Sequence, residues 1–258
     1  MLPLFRSAVW FCATIILALG LSWAVSAADR SLTQLPATDL PGFDYSVLKG
    51  VTVDACAAAC TDDRICRAYT FNEKAGWCFL KGDVGPETPF VGASSGKISL
   101  TPAADALAAT RQSELPFPAQ DLIDSARYFA VGLPNTDPPP PKVAYADLFA
   151  AGDAAAANED TAGAMVSYRQ ALAIVDNDPA LWMKLADAAL IRGDAEAAKT
   201  DSSGSVYDFA TTATYAALNA FLQSEKVAER APALSALAHG LELRQMYREA
   251  IEIGRAHV

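Results

Sequence analysis

Two periodicities divide the chain. Residues 66–71 (CRAYTF) alternate and are rich in β-formers, and residues 76–81 (GWCFLK) are rich in them too, which predicts two strands. The turn-like run Asn72-Glu73-Lys74-Ala75-Gly76 lies between them, so the pair reads as a hairpin. Just upstream, residues 51–63 (VTVDACAAACTDD) have an Ala-rich body with Asp54 near its start, which predicts a short helix. From residue 119 to 130 the period lengthens, with Leu122, Ile123, Ala126 and Phe129 on one helical face.

Residues 101–112 are Ala-rich and polar and read as a partly helical connector. Asn135-Thr136-Asp137 and the four prolines at 138–141 form a breaker and a stiff spacer, so a second domain is expected to start after it. Helical spacing then dominates. Pro179 opens a helix, residues 199–205 read as a loop, a helix resumes over 206–222, and a last unit begins after Pro232.

At the start of the chain, Arg6 precedes an apolar run over residues 7–25, and Val25-Ser26-Ala27 offers a small-residue cleavage site. Residues 1–27 therefore read as a signal peptide, or, uncleaved, as a membrane anchor, and both readings export the remainder to the periplasm or beyond. Cys12 lies in this run without a lipobox. A hydrophobic content of 52% with long alanine runs favours packed helices. The 20 basic and 30 acidic residues give a net charge of −10. Removing residues 1–27 takes away Arg6 alone, leaving 19 against 30, or −11. Such a surface repels phosphate backbones and anionic headgroups, so no nucleic-acid partner is expected, and a membrane only through an uncleaved signal segment.

Export places Cys56, Cys60, Cys66 and Cys78, spaced C-x3-C-x5-C-x11-C, in an oxidising compartment, where an even number implies two disulfides. Cys56 and Cys60 share one helical face and look toward the two strand cysteines. The spacing alone leaves three connectivities open. A zinc site would favour C-x2-C knuckles, which the module lacks, so no metal and no cofactor is expected.

Residues 41–82 (PGFDYSVLKGVTVDACAAACTDDRICRAYTFNEKAGWCFLKG) resemble a PAN/apple domain of the bacterial type. The G-F-D-Y start, the C-x3-C pair, the C-R-A-Y-T-F strand and the closing W-C-F-L-K carry the resemblance, which reaches to about residue 99. It implies Cys56–Cys78 and Cys60–Cys66 pairing, in a small sheet packed on one helix. It also implies a module that binds protein or carbohydrate, with Arg64, Arg67, Lys74 and Trp77 as exposed candidate contacts. The alternative for Trp77, and for Phe79 beside it, is that they fill the core.

Residues 171–198 resemble a tetratricopeptide repeat across its junction. Gly152, Ala164, Tyr168 and Ala171 occupy signature positions of a first unit, and Trp182, Leu185, Ala186, Ala189 and Ala198 follow Pro179 in the second. Leu234, Leu237, Ala238, Leu241, Tyr247 and Ala250 carry a third, and three units suffice for a small solenoid that binds protein. The fold expected is α+β: a signal peptide at 1–27, a disulfide-stapled apple-like domain at 33–100, a linker at 101–141, and an all-α repeat domain at 142–251.

The last seven residues, 252–258 (EIGRAHV), are what GAG-ATC-GGA-AGA-GCA-CAC-GTC encodes, a string containing a common sequencing adapter. They are expected to be an adapter-derived tail on an incomplete helix, so His257 carries no functional weight. Without it His239 is the one histidine. No serine is expected in a nucleophile elbow, and there is no glycine-rich phosphate loop and no H-E-x-x-H, so no catalytic residue is assigned and no enzyme is expected. Of the acidic pairs Asp62-Asp63 and Glu159-Asp160, the second is expected to flank a helix start. The order of signal, apple-like module, Pro-rich spacer and helical repeats resembles the N-terminal region of large bacterial alpha-2-macroglobulin-like proteins. That resemblance implies macroglobulin domains further on, which trap proteases in the periplasm. No Cys-Gly-Glu-Gln thioester motif occurs in these residues.

Overall fold

The computed structural model describes residues 29–101, 103–133, 143–199 and 205–256. Residues 1–27, read above as a signal peptide and containing Cys12, the spacer prolines, the middle of the 199–205 loop and His257 lie outside the described residues.

Five strands, β1 (Asp29–Asp39), β2 (Asp44–Lys49), β3 (Ala68–Asn72), β4 (Trp77–Lys81) and β5 (Thr88–Thr101), form one sheet in the order β1-β5-β3-β4-β2, and every pairing is antiparallel. β3 and β4 are the expected hairpin. Its turn closes through the Asn72 side chain, which accepts from Ala75 N at 3.0 Å, and through Gly76 at φ +64°, a conformation that glycine adopts without strain. Helix α1 (Val53–Asp62) packs on one face of this sheet. Its N-cap is Thr52, whose hydroxyl accepts from Ala55 N at 3.2 Å, while Asp54 sits in the first turn and favours the helix through its charge.

Cys56 and Cys60 emerge from the buried face of α1. Cys56 bonds Cys78 on β4, stapling helix to sheet, and Cys60 bonds Cys66. These are the pairs that the family resemblance implies. Cys66 lies in the loop before β3 rather than on the strand, so the second bond closes the C-terminal turn of α1 on itself. Arg30 on β1 finishes that end of the helix. Its guanidinium donates to the carbonyls of Cys60, Thr61, Asp63, Arg64 and Cys66, at distances from 2.5 to 3.3 Å. A cation on five carbonyls is favourable at the negative end of a helix.

β5 can cross the middle of the sheet because of Gly96. A Cβ there would lie 2.4 Å from the Tyr69 ring and 2.8 Å from Leu32, so the fully packed Tyr69 occupies the space a side chain would need.

The rest of the described chain is helical: α2 (Ala104–Ser113), α3 (Gln120–Gly132), α4 (Tyr145–Ala157), α5 (Thr161–Leu172), α6 (Pro179–Ala197), α7 (Ser205–Leu222), α8 (Val227–Leu243) and α9 (Tyr247–Ala256). Successive helices from α4 onward pack on one another. Small residues set the spacing. Gly152 on α4 lies against the Tyr168 ring of α5, where a Cβ would approach to 2.3 Å, and Gly240 on α8 lies against Thr214 of α7. Ala164, Tyr168, Ala171, Trp182, Leu185, Ala186 and Ala189 are all buried in these contacts. Asp160 caps α5 by accepting from Gly163 N at 2.9 Å, which is the role expected of the Glu159-Asp160 pair.

Two sequence expectations are revised. Residues 101–133 do not behave as a linker: α2 and α3 pack on α7, with Leu107, Arg111, Ile123 and Ala126 buried, because each carries an apolar stripe that α7 covers. Helix α8 begins at Val227, ahead of Pro232. Glu229 starts it by accepting from the backbone N–H groups of Glu225 and Lys226, which leaves Pro232 inside the helix. Residues 252–256 lie within α9, with Ile253 buried.

Candidate functional site

Strand alternation gives the sheet two unlike faces. One is covered by α1. On the other, cross-strand pairing brings Lys49, Trp77, Asn72 and Ala93 into one row and Val47, Phe79, Thr70 and Ser95 into the next. The two rows lie beside a shallow groove of about 340 Å³, lined by Asp39, Asp44, Asn72, Phe79, Lys81 and Phe90 among others.

Its floor is charged. Lys81 is only 2% exposed, and its ammonium donates to Gly42 O at 3.1 Å and to the Asp44 carboxylate. Thr70 and Ser95 hydroxyls bond at 2.8 Å beside it, and Ser95 donates to Thr38 O at 2.7 Å. Its rim is aromatic. Phe90 is 55% exposed, and Trp77, 39% exposed, extends the apolar surface past Phe79, with ring centroids 6.4 Å apart. The Lys49 ammonium lies 4.6 Å from the Trp77 ring, a cation–π contact. Exposed aromatic faces beside an ion pair of buried Lys81 and exposed Asp44 make a surface that can hold a ligand by stacking and by hydrogen bonds together.

Of the residues singled out from the sequence, Trp77 and Lys74 stand exposed at this end of the hairpin. Trp77 and Phe79 do not fill the core; they face outward because the register assigns Cys78 and Leu80 to the α1 side. Arg64 and Arg67 are the clearest revision. Neither is an open contact, since both lie in the seam between the sheet module and the helices. Arg64 donates to Asp178 at 2.9 Å and pairs with Glu229, and Arg67 reaches Glu225 at 3.7 Å and the Arg64 carbonyl at 2.5 Å. Burial alone would lower the Arg64 guanidinium, but the Asp178 hydrogen bond and the Glu229 charge raise it above its usual range. Burial lowers Arg67.

The same seam holds two tyrosines that the sequence reading passed over. Tyr45 and Tyr145 meet edge to face at 5.9 Å, their hydroxyls donating to Asp63 at 2.5 Å and Asp178 at 2.7 Å. Burial and these carboxylates push both phenols upward. Asp178 is the hub: 4% exposed, it caps α6 through Ala180 N, accepts from Tyr145 and pairs with Arg64. Asn177 Nδ2 adds a bond to Gly82 O at 2.6 Å. Only the motif Asp178-Pro179 signalled any of this, and it signalled a helix start.

One stretch, Gly92-Ala93-Ser94-Ser95-Gly96, does fit G-x-S-x-G, contrary to expectation, but it runs through β5 and makes no strand-to-helix turn. Its Ser94 donates to Glu73 at 2.8 Å. His239 sits on the surface of α8, 2.9 Å from Asp194 of α6.

Residues 31–102 match the family model of the PAN domain. PAN domains mediate binding to protein or carbohydrate, and a disulfide-bearing PAN domain fits an exported protein. No curated protein and no solved structure matches the chain. No helix among the described residues is long and apolar enough to cross a membrane.

Proposed function

We propose that the chain is an exported, non-catalytic binding protein whose PAN domain recognises carbohydrate through its open sheet face. The observation that carries this is the groove lined by Phe79 and the exposed Phe90 together with the ion pair of buried Lys81 and exposed Asp44. A sugar ring presents C–H groups to stack on aromatic faces and hydroxyls that can bond Asp39, Asp44 and Asn72. Replacing Phe90 by alanine removes a half-exposed ring, so folding stability should stay within about 0.5 kcal/mol of the parent. Binding to a glycan-coated surface should weaken about tenfold or more. Unchanged affinity in the Phe90→Ala protein would remove the groove from consideration.

The helices serve as a rigid, tetratricopeptide-like scaffold with protein-binding capacity of its own. Gly152 against Tyr168, and the alanines at 164, 171, 186 and 189, support that reading, because they let neighbouring helices approach closely. The wider reading is that this is the N-terminal recognition region of an alpha-2-macroglobulin-like protease trap, which makes proteases the eventual partners. It is supported by the order of segments: apolar leader, PAN domain, Pro-rich stretch and helical repeats. Sequencing the source DNA outward from the Ile251 codon tests it. The frame should continue into β-rich domains, and an immediate stop codon would leave a self-contained exported binding protein instead.

A further inference from the structure

A second cavity, of about 610 Å³, opens where the PAN domain meets α2, α3 and α7, away from the groove on the open face. Its size is that of a small-molecule site. One wall is aliphatic, made by Leu100, Leu107 and Leu222. Around it stand Asp83, Asp105 and Asp176, none of which forms an ion pair among the described residues.

A separate feature points the same way. Asn219 is only 4% exposed, and its Nδ2 is committed to Ala126 O at 3.0 Å, so its carbonyl oxygen is the end left for the cavity that it lines. Two other atoms of the lining residues, Asn177 Oδ1 and Gln223 Oε1, are buried without a donor, which is costly, and a ligand N–H would satisfy them. The positive groups do not balance the acids. Arg67 is committed to Glu225 and to backbone carbonyls, which leaves Arg127 on α3 against three carboxylates. Desolvation above all, and the neighbouring Asp83 charge, push the Asp176 carboxyl upward, against the opposing pull of its own backbone hydrogen bond and of Arg67.

We propose that this interdomain cavity binds a small aliphatic cation with N–H donors, such as a diamine, its methylenes on the leucine wall and its ammonium groups among Asn219, Asp83 and Asp176. The inference stands apart from carbohydrate recognition on the sheet face.

Isothermal titration of the protein with 1,4-diaminobutane, and with 1,4-butanediol as its uncharged isostere, tests it. The diamine should bind saturably and the diol should not. Asp176→Asn, which removes a carboxylate that forms no ion pair among the described residues and keeps the side-chain shape, should weaken diamine binding at least tenfold. Asn219→Leu should do the same where it folds. No saturable heat with the diamine, equal heats for both probes, or unchanged affinity in Asp176→Asn would each overturn the proposal.

Discussion

Replacing Cys56 and Cys78 together by serine should unfold the PAN domain at temperatures where the parent is stable. The bond spans 22 residues, and loop entropy assigns about 3 kcal/mol to such a closure. The substitution also leaves two hydroxyls at fully buried positions, each needing a partner that the packed interior does not supply. The Cys60–Cys66 bond spans 6 residues, and its removal should cost about 2 kcal/mol by the same relation. A thermal melt followed by circular dichroism should therefore order the variants as parent, Cys60/Cys66 and Cys56/Cys78, from most to least stable. Equal melting temperatures for all three would mean that the helix–sheet packing does not depend on its staple.

Asp178→Ala should have an effect of similar size, for a different reason. The carboxylate caps α6, accepts from Tyr145 and pairs with Arg64, so its loss uncaps a helix and leaves a hydroxyl and a guanidinium short of partners in a tight seam. Breaking a buried pair by removing one member costs about 3–5 kcal/mol. Arg64 retains Glu229 and is partly solvated, so the lower end of that range is expected. A fall in melting temperature of roughly 6–12 °C follows for a domain of this size. Asp178→Asn keeps an acceptor for the cap and for Tyr145 and should lose about half as much. A shift under about 2 °C for Asp178→Ala would show that the seam does not hold the two regions together.

Local order was legible in the sequence wherever a rule of short range governs it. The β3–β4 hairpin followed from alternation and the Asn72–Gly76 turn, α1 from its alanines, and the start of α6 from Pro179. The cysteine spacing bounded the disulfides, and the family resemblance chose among the three pairings. What escaped was set by contacts distant in sequence. Arg64 and Arg67 follow a helix end and look like surface cations; only the arrival of Asp178, Glu225 and Glu229 from the helical layer buries them. Arg30 could not be read as a helix cap from a position that far upstream of the turn it closes. Residues 101–133 looked like a connector because their short apolar stripes gain meaning only against α7. The candidate groove was half visible. Trp77 reads from the sequence as a contact or as core, Phe79 as core, and Phe90 gives no signal because its exposure depends on where β5 runs past the end of β3.

Chemical-shift mapping with a glycan selected from a printed array tests the central claim, carbohydrate recognition by the open sheet face, most directly. The largest perturbations are expected at Asn72, Trp77, Phe79, Phe90 and Ala93, while Trp182, enclosed in the helical layer, stays unmoved. An array that selects no glycan, or perturbations confined to α1 or to the helices, would contradict it.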